Sequence, residues 1–86
     1  MSYEIILNEL ISKLSYPLKS GLDLELALKA KLTKKELKLL KALRDGLKKE
    51  QILEKLNFDE QEFSRIYSNL IKKLNQEKTK QALYNI

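Results

Sequence analysis

The sequence predicts an all-α domain, and three observations support this fold class. Leucine, lysine and glutamate, all good helix formers, dominate a chain of 86 residues that contains one proline and two glycines. Apolar residues recur at spacings of three and four along most of the chain. Two motifs that cap helix N-termini precede such segments. The length suits a single small domain with a modest core.

The first predicted helix covers residues 3–14. Its apolar side chains recur at helical spacing and give a broad apolar face: Tyr3, Ile6, Leu7, Leu10, Ile11 and Leu14. Ser2 is a candidate N-cap. Because Pro17 disfavours the helical conformation at the residue before it, we expect the helix to stop near Ser15.

Residues 22–32 allow two interpretations. In LDLELALKAKL the leucines alternate with other residues, which is the period of a strand. The residues are nevertheless helix formers without a β-branched member, and a single strand would have no visible partner. Ser20 and Gly21 mark a turn before this segment. We take Asp23 as a candidate N-cap of a short helix or turn.

The next two helices have clearer signals. A capping box at Thr33 and Glu36 begins a helix that runs to about Asp45 and stops at Gly46. Its inward residues are Leu39, Leu40 and Leu43. A shorter helix covers residues 48–56, and its apolar residues are Ile52, Leu53 and Leu56.

A long helix follows the turn at residues 57–58. Asp59 and Glu62 form a second capping box, which begins a helix over residues 60–74. Its inner side carries Phe63, Ile66, Tyr67, Leu70, Ile71 and Leu74. A last short helix over residues 77–85 uses the apolar residues Ala82 and Leu83.

Positive charge is concentrated in residues 32–86. Residues 1–31 hold four lysines and four acids, whereas residues 32–86 hold thirteen Lys or Arg and eight acids, so this part carries the whole net charge of +5. A basic domain is the electrostatic footprint of a nucleic-acid binder. Lysine-rich helices that are simply solvated have the same composition.

The composition argues against several classes of function. The chain has no cysteine and no histidine, which removes disulfides, the usual zinc sites and catalysis by a His base or a Cys nucleophile. Nothing resembles a phosphate-binding glycine loop. We expect no enzyme activity, cofactor, metal or small-molecule ligand. Without an apolar run near 18 residues or a leader, we expect no membrane partner and a cytoplasmic location.

Residues 32–83 have the layout of a helix-turn-helix motif: a helix, Gly-Leu, a short helix, a four-residue turn and a longer helix. The segments LTKKELKLLKAL, GLKKEQILEKL, SNLIKKL and KTKQAL follow one another in this order. In these segments the chain resembles the LuxR/GerE-type DNA-binding domain that also ends NarL-like response regulators. The resemblance implies a tetrahelical helix-turn-helix domain, here with an extra N-terminal helix.

The resemblance also implies a way of binding DNA. By this resemblance the helix over residues 60–74 would lie in the major groove, and family members often dimerise through the helix that corresponds to residues 77–85. Such dimers bind two half-sites about one helical turn apart. The chain departs from the family pattern at three positions where the family usually has Thr, Lys and His: Glu62, Ser64 and Ile66.

Side chains on the outer side of the helix over residues 60–74 are the candidate base contacts. Arg65 comes first because arginine pairs bidentately with guanine, and Glu62 can accept a hydrogen bond from cytosine N4. The complete set is Gln61, Glu62, Ser64, Arg65 and Ser68. The structural alternatives are an exposed helix arginine at position 65 and favourable charges in the first helical turn at Asp59 and Glu62.

Three of the candidate phosphate contacts lie on the same helix, and the other two lie at the start of the shorter helix before it. Contacts of this kind position a protein on a duplex without reading its sequence. They are Lys48, Lys49, Asn69, Lys72 and Lys73. A solvated surface lysine is the alternative for each of the lysines.

In this interpretation residues 1–31 are an N-terminal extension and residues 32–86 the helix-turn-helix domain. Leu37 is apolar where the family has a polar residue, which suggests that the extension docks on the first helix of the motif. The extension is alternatively a dimerisation helix, because part of it has the 4-3-4 spacing of a coiled-coil seam. The candidate dimer contacts are Leu7, Leu10, Leu14, Ala82 and Leu83.

The sequence therefore predicts a bacterial transcription regulator that binds double-stranded DNA sequence-specifically as a homodimer. The alternative is a helix-turn-helix interaction module that has lost DNA binding and binds another protein. The promoter-binding region of sigma factors has a similar motif, but SNLIKKL and the tail favour the LuxR/GerE-type assignment.

Overall fold

In the computed structural model, which describes residues 3–85, the chain forms six α-helices and no strand. The helices are α1 (Tyr3–Leu10), α2 (Gly21–Lys31), α3 (Lys34–Arg44), α4 (Lys49–Leu56), α5 (Glu60–Leu74) and α6 (Glu77–Leu83). The all-α prediction is confirmed. Ser2, the candidate N-cap of the first helix, lies outside the described residues. No helix within residues 3–85 is long and apolar enough to cross a membrane.

α1 is shorter than predicted, because a side chain from the far end of α5 ends it. The Asn75 amide donates to the carbonyl of Leu10 at 3.1 Å, and its oxygen accepts from the Ser12 backbone N–H at 3.0 Å. These bonds satisfy backbone groups at the end of the helix and hold the following segment in a non-helical path. The predicted end near Ser15 was therefore wrong.

The ambiguous segment is the helix α2. Its buried residues Leu24 and Leu28 are four positions apart, as one face of a helix requires. Ser20 occupies the N-cap position, so the prediction of Asp23 as the cap was wrong, and Asp23 lies in the first turn. The other leucines of the helix are exposed: Leu22 and Leu26.

The predicted capping box of α3 is present. The Thr33 hydroxyl accepts from the Glu36 backbone N–H at 3.2 Å, and the Glu36 carboxylate accepts from the Thr33 N–H at 2.9 Å. α4 begins at Lys49, one residue later than predicted. Lys48 is its N-cap residue, and the Lys48 N–H donates to the Gln51 side chain at 2.9 Å. α5 has the predicted bounds.

A single apolar core joins the N-terminal helices to the rest of the chain. α3 lies at its centre and packs against α1, α2, α4 and α5, while α6 packs against α2 and α5. The fully buried side chains come from all six helices: Leu7, Leu24, Leu28, Leu39, Leu40, Ile52, Leu70, Leu74 and Leu83. Residues 3–31 thus share one core with residues 32–85.

The segment between α1 and α2 is tied to the C-terminal end of the described chain by backbone pairing. Leu18 and Tyr84 form an antiparallel β-bridge. The Lys19 N–H donates to the Leu83 carbonyl, and the Asn85 N–H donates to the Pro17 carbonyl, both at 2.8 Å. Because this pairing requires extended backbone, α6 ends at residue 83 rather than at the predicted residue 85.

Candidate nucleic-acid interface

The outer face of α5 is polar and exposed. The helix directs Ile66, Leu70 and Leu74 into the core at four-residue spacing, which leaves the opposite side in solvent. This exposed side carries Gln61, Ser64, Arg65, Ser68 and Lys72. Four of the five candidate base contacts therefore share one accessible face with a lysine.

The first turn of α5 is capped by one side chain only. The Asp59 carboxylate accepts from the Glu62 backbone N–H at 2.7 Å, as predicted. The predicted return bond from the Glu62 side chain to the backbone of Asp59 is missing. The Glu62 carboxylate points instead to α3, where its Oε2 atom lies 2.6 Å from the Nζ atom of Lys35.

Glu62 also lies beside the exposed arginine of α5. The Nη2 atom of Arg65 is 3.7 Å from the same Oε2 atom, and 62% of the Arg65 side chain is exposed against 26% for Glu62. The carboxylate is thus partly covered between two cations, and the guanidinium remains open to solvent. This placement makes Glu62 less accessible to a base than Arg65.

The N-terminal ends of α4 and α5 lie close to each other. The Nζ atom of Lys49 is 3.6 Å from the Glu60 carboxylate and 5.6 Å from the centre of the Phe63 ring. Both acids of the first turn of α5 are therefore paired with lysines from neighbouring helices, and Asp59 is used as a cap. The three acids do not form an unpaired negative patch.

Lys73 is engaged in a partly buried ion pair. Its Nζ atom donates to Glu36 Oε1 at 2.8 Å, and the Glu36 side chain is only 5% exposed. Burial by itself raises the pKa of Glu36, because it disfavours the charged carboxylate. The hydrogen bonds from Lys73 and Thr33 outweigh burial and hold the pKa below its ordinary value of 4.5. Lys73 thus has a structural partner besides its predicted role as a phosphate contact.

A polar groove runs between the N-terminus of α3 and the middle of α5. Its rim brings Arg65 and Asn69 together with two lysines that are not among the predicted contacts, Lys34 and Lys35. Both lysines lie between the two residues of the α3 capping box. That position places them at the start of α3, but only the packing of α3 on α5 places them beside Arg65.

The remaining predicted phosphate contacts are exposed. Lys48 precedes α4, and Asn69 and Lys72 lie on the solvent side of α5. Within residues 3–85 no ion pair is present for Lys48 or Lys72. Lys72 lies on the exposed face of α5 itself, and Lys48 lies at the N-cap position of α4.

The candidate dimer contacts lie mostly inside the single chain. Leu7 and Leu83 are fully buried in the core, and the other three candidates are half-buried: Leu10, Leu14 and Ala82. A second copy could reach Leu7 or Leu83 only if those side chains left the core. Among residues 3–85 the large apolar side chains that are exposed are others: Ile5, Tyr16, Leu22 and Leu26.

No family model, curated protein or solved structure matches this chain. The chain is a small all-helical domain of six helices over its described residues, and the comparisons identify no family. The LuxR/GerE-type assignment therefore rests on the sequence segments alone.

Proposed function

We propose that this protein is a sequence-specific DNA-binding regulator of transcription that places α5 in the major groove. The observation that carries the proposal is the exposed polar face of α5, with Arg65 near its centre. The 15 residues of α5 span about 22 Å, and the groove admits one α-helix. Side chains on that face would reach base edges.

The connection between α4 and α5 supports a helix-turn-helix arrangement. Asn57 adopts the left-handed conformation, with φ 57°, immediately after α4, and α5 begins three residues later. This residue ends α4 and redirects the chain in a short turn. The same order of elements underlies the resemblance to the LuxR/GerE-type domain over residues 32–83.

The charges around α5 suit a phosphate backbone. Lys48 and Lys49 lie at the start of α4, Lys72 lies on α5, and Lys34 and Lys35 lie at the start of α3. Lys72 lies on the polar face itself, and Lys34 and Lys35 line a groove with Arg65. Since the acids of the first turn are paired with lysines or used as a cap, they repel phosphates less than free carboxylates would.

Duplex binding at several salt concentrations tests this function. The full chain is titrated into a labelled duplex of mixed sequence, and fluorescence anisotropy gives the Kd. We expect a Kd that rises steeply with salt, because several phosphate contacts release counterions. The variant Lys48→Ala should weaken binding to all duplexes, whereas the matched variant Lys29→Ala, on the exposed side of α2, should leave it unchanged. Absence of binding at low salt would reject the function.

The exposed leucines of α2 favour a second candidate function, an interaction module. Leu22 and Leu26 lie one turn apart and are 67% and 53% exposed. We take the partner that binds these leucines to be a second copy of the chain, because such a contact also fits the proposed DNA-binding dimer. Light scattering after gel filtration measures the mass of the full chain and of a Leu22→Gln, Leu26→Gln variant. A dimer that this variant reduces to a monomer supports the α2 contact; a wild-type monomer at all concentrations rejects it.

A further inference from the structure

Glu62 lies between two cations where α5 meets α3. Its Oε2 atom is 2.6 Å from Lys35 Nζ and 3.7 Å from Arg65 Nη2. Its backbone N–H is held by the Asp59 cap at 2.7 Å. The carboxylate is therefore fixed at its backbone and at its oxygen, and it is less exposed than the guanidinium beside it.

From this arrangement we propose that Glu62 is a positioning residue for Arg65 in DNA recognition and does not itself contact a base. The proposal rests on the DNA-binding function proposed above. Lys35 anchors the carboxylate to α3, and the carboxylate restrains the arginine. A long side chain loses rotamer freedom when it binds, which costs free energy. An arginine that is already restrained loses less freedom, so its contact with a base is stronger.

The geometry leaves the arginine able to read a base. A guanidinium has five N–H donors, so the contact with Glu62 leaves others for the O6 and N7 acceptors of guanine. Contact with DNA removes water around α5, which strengthens the attraction between Glu62 and Arg65. The acid at this position therefore increases sequence preference even though it decreases the attraction to phosphates.

The chain offers a matched control in Glu60. This acid lies in the same first turn, is 77% exposed and pairs with Lys49 at 3.6 Å. Glu60→Gln removes the same charge as Glu62→Gln without removing the partner of Arg65. The two variants therefore separate positioning of the arginine from general repulsion of phosphates.

The test uses the full chain and a preferred duplex selected from a randomised duplex library. Kd values are measured for that duplex and for duplexes in which each guanine is replaced by 7-deazaguanine, which lacks the N7 acceptor. The guanine that Arg65 contacts is the position where wild type prefers guanine to 7-deazaguanine by about tenfold and Arg65→Ala has no such preference. Circular dichroism checks that each variant is folded.

We expect Glu62→Gln to reduce the preference at that same guanine by about threefold, with no further reduction in the Arg65→Ala background. Glu60→Gln should tighten binding to all duplexes alike and leave the preference unchanged. Lys35→Met should reduce the preference in the same direction as Glu62→Gln, whereas Lys34→Met should weaken binding to all duplexes equally.

Three outcomes overturn the proposal. An unchanged preference in Glu62→Gln means that the acid acts only through its charge. A loss at a different base pair, additive with Arg65→Ala, means that Glu62 reads its own base. Absence of binding to any duplex at low salt rejects the proposed function as well, whereas the first two outcomes leave that function standing.

Discussion

At the scale of single residues, Glu36 combines two roles in the fold. Its carboxylate closes the capping box of α3 and also accepts from Lys73 of α5, so one buried side chain connects the start of one helix to the end of another. Burial of a charged carboxylate lowers the stability of the fold unless the carboxylate is paired and hydrogen-bonded. Lys73 supplies the positive partner, which makes this pair a contact that a substitution can test.

Replacement of Lys73 by Met should lower the free energy of unfolding by about 1–3 kcal/mol, because it leaves the Glu36 charge with fewer partners in the interior. Lys73 is about one third exposed, and screening by solvent keeps the loss in the lower part of that range. Urea denaturation measures it. The control Lys72→Met, at an exposed neighbouring position, should change the stability by less than about 0.5 kcal/mol. Equal effects of the two substitutions would contradict the pairing.

The same pair predicts a dependence of stability on pH. The pKa of Glu36 is lower in the folded chain than its ordinary value of 4.5, so its charge stabilises the fold above about pH 4.5. That contribution is lost as the pH falls through the folded pKa. Glu36→Gln keeps an oxygen for the cap but has no charge. The difference in unfolding free energy between wild type and this variant should be largest at neutral pH and shrink in acid; a constant difference would argue against a charged Glu36.

At the scale of elements, α1 and the segment after it are held by Asn75. Besides the bonds to Leu10 and Ser12, the Asn75 amide donates to the Ile71 carbonyl at 2.9 Å. One amide group thus satisfies backbone groups at the ends of α1 and α5 together. The bounds of α1 depend on this residue more than on the proline that follows.

Asn75→Ala should lower the free energy of unfolding by about 1–2 kcal/mol, because the part-buried carbonyl of Leu10 loses its side-chain partner. Amide hydrogen exchange should also show reduced protection at Ser12. Asn8→Ala is the control, since Asn8 bonds only to Glu4 within α1 and is exposed. If exchange at Ser12 is unaffected by Asn75→Ala, the capping role is wrong.

At the scale of the whole molecule, the N-terminal segment is part of the core. Tyr3, Leu7 and Ile11 are buried, and the Arg44 guanidinium of α3 lies 4.7 Å from the centre of the Tyr3 ring. The β-bridge between residues 18 and 84 then ties the segment after α1 to the end of α6. Residues 3–31 and 32–85 are therefore expected to unfold together.

A chain that lacks residues 1–20 should lose its cooperative unfolding transition. The deletion removes three buried apolar side chains, each worth roughly 1.5–3 kcal/mol, from a domain whose total stability is on the order of 5–15 kcal/mol. Thermal and urea denaturation followed by circular dichroism measure the transition. A sharp transition in the shortened chain would show that the extension is separate from the core.

Point variants of α1 distinguish a core role from a dimer role. Leu7→Ala should destabilise the chain by about 2–5 kcal/mol at every protein concentration, because Leu7 is buried within one chain. Ile5→Ala, on the exposed side of the same helix, should have little effect. A loss of stability in Leu7→Ala that grows as the protein is diluted would instead indicate a contact between two copies.

The sequence by itself determined the features that depend on neighbouring residues. The all-α class, the capping box of α3 and the bounds of α5 follow from apolar spacing and capping residues that lie within a few positions of each other. These signals act locally, so they can be read without the fold. The exposed face of α5, with Arg65 and Ser68, follows from the same spacing.

The tertiary structure alone decided the features that join distant positions. Asn75 ends α1 from 65 residues away, Lys73 pairs with Glu36 across 37 residues, and Lys35 draws the Glu62 side chain to α3 across 27. Which leucines of α2 are buried also depends on where α3 and α6 pack against it. Partners of this kind are set by the packing of helices, because spacing within one helix does not say which side chain of another helix it will meet.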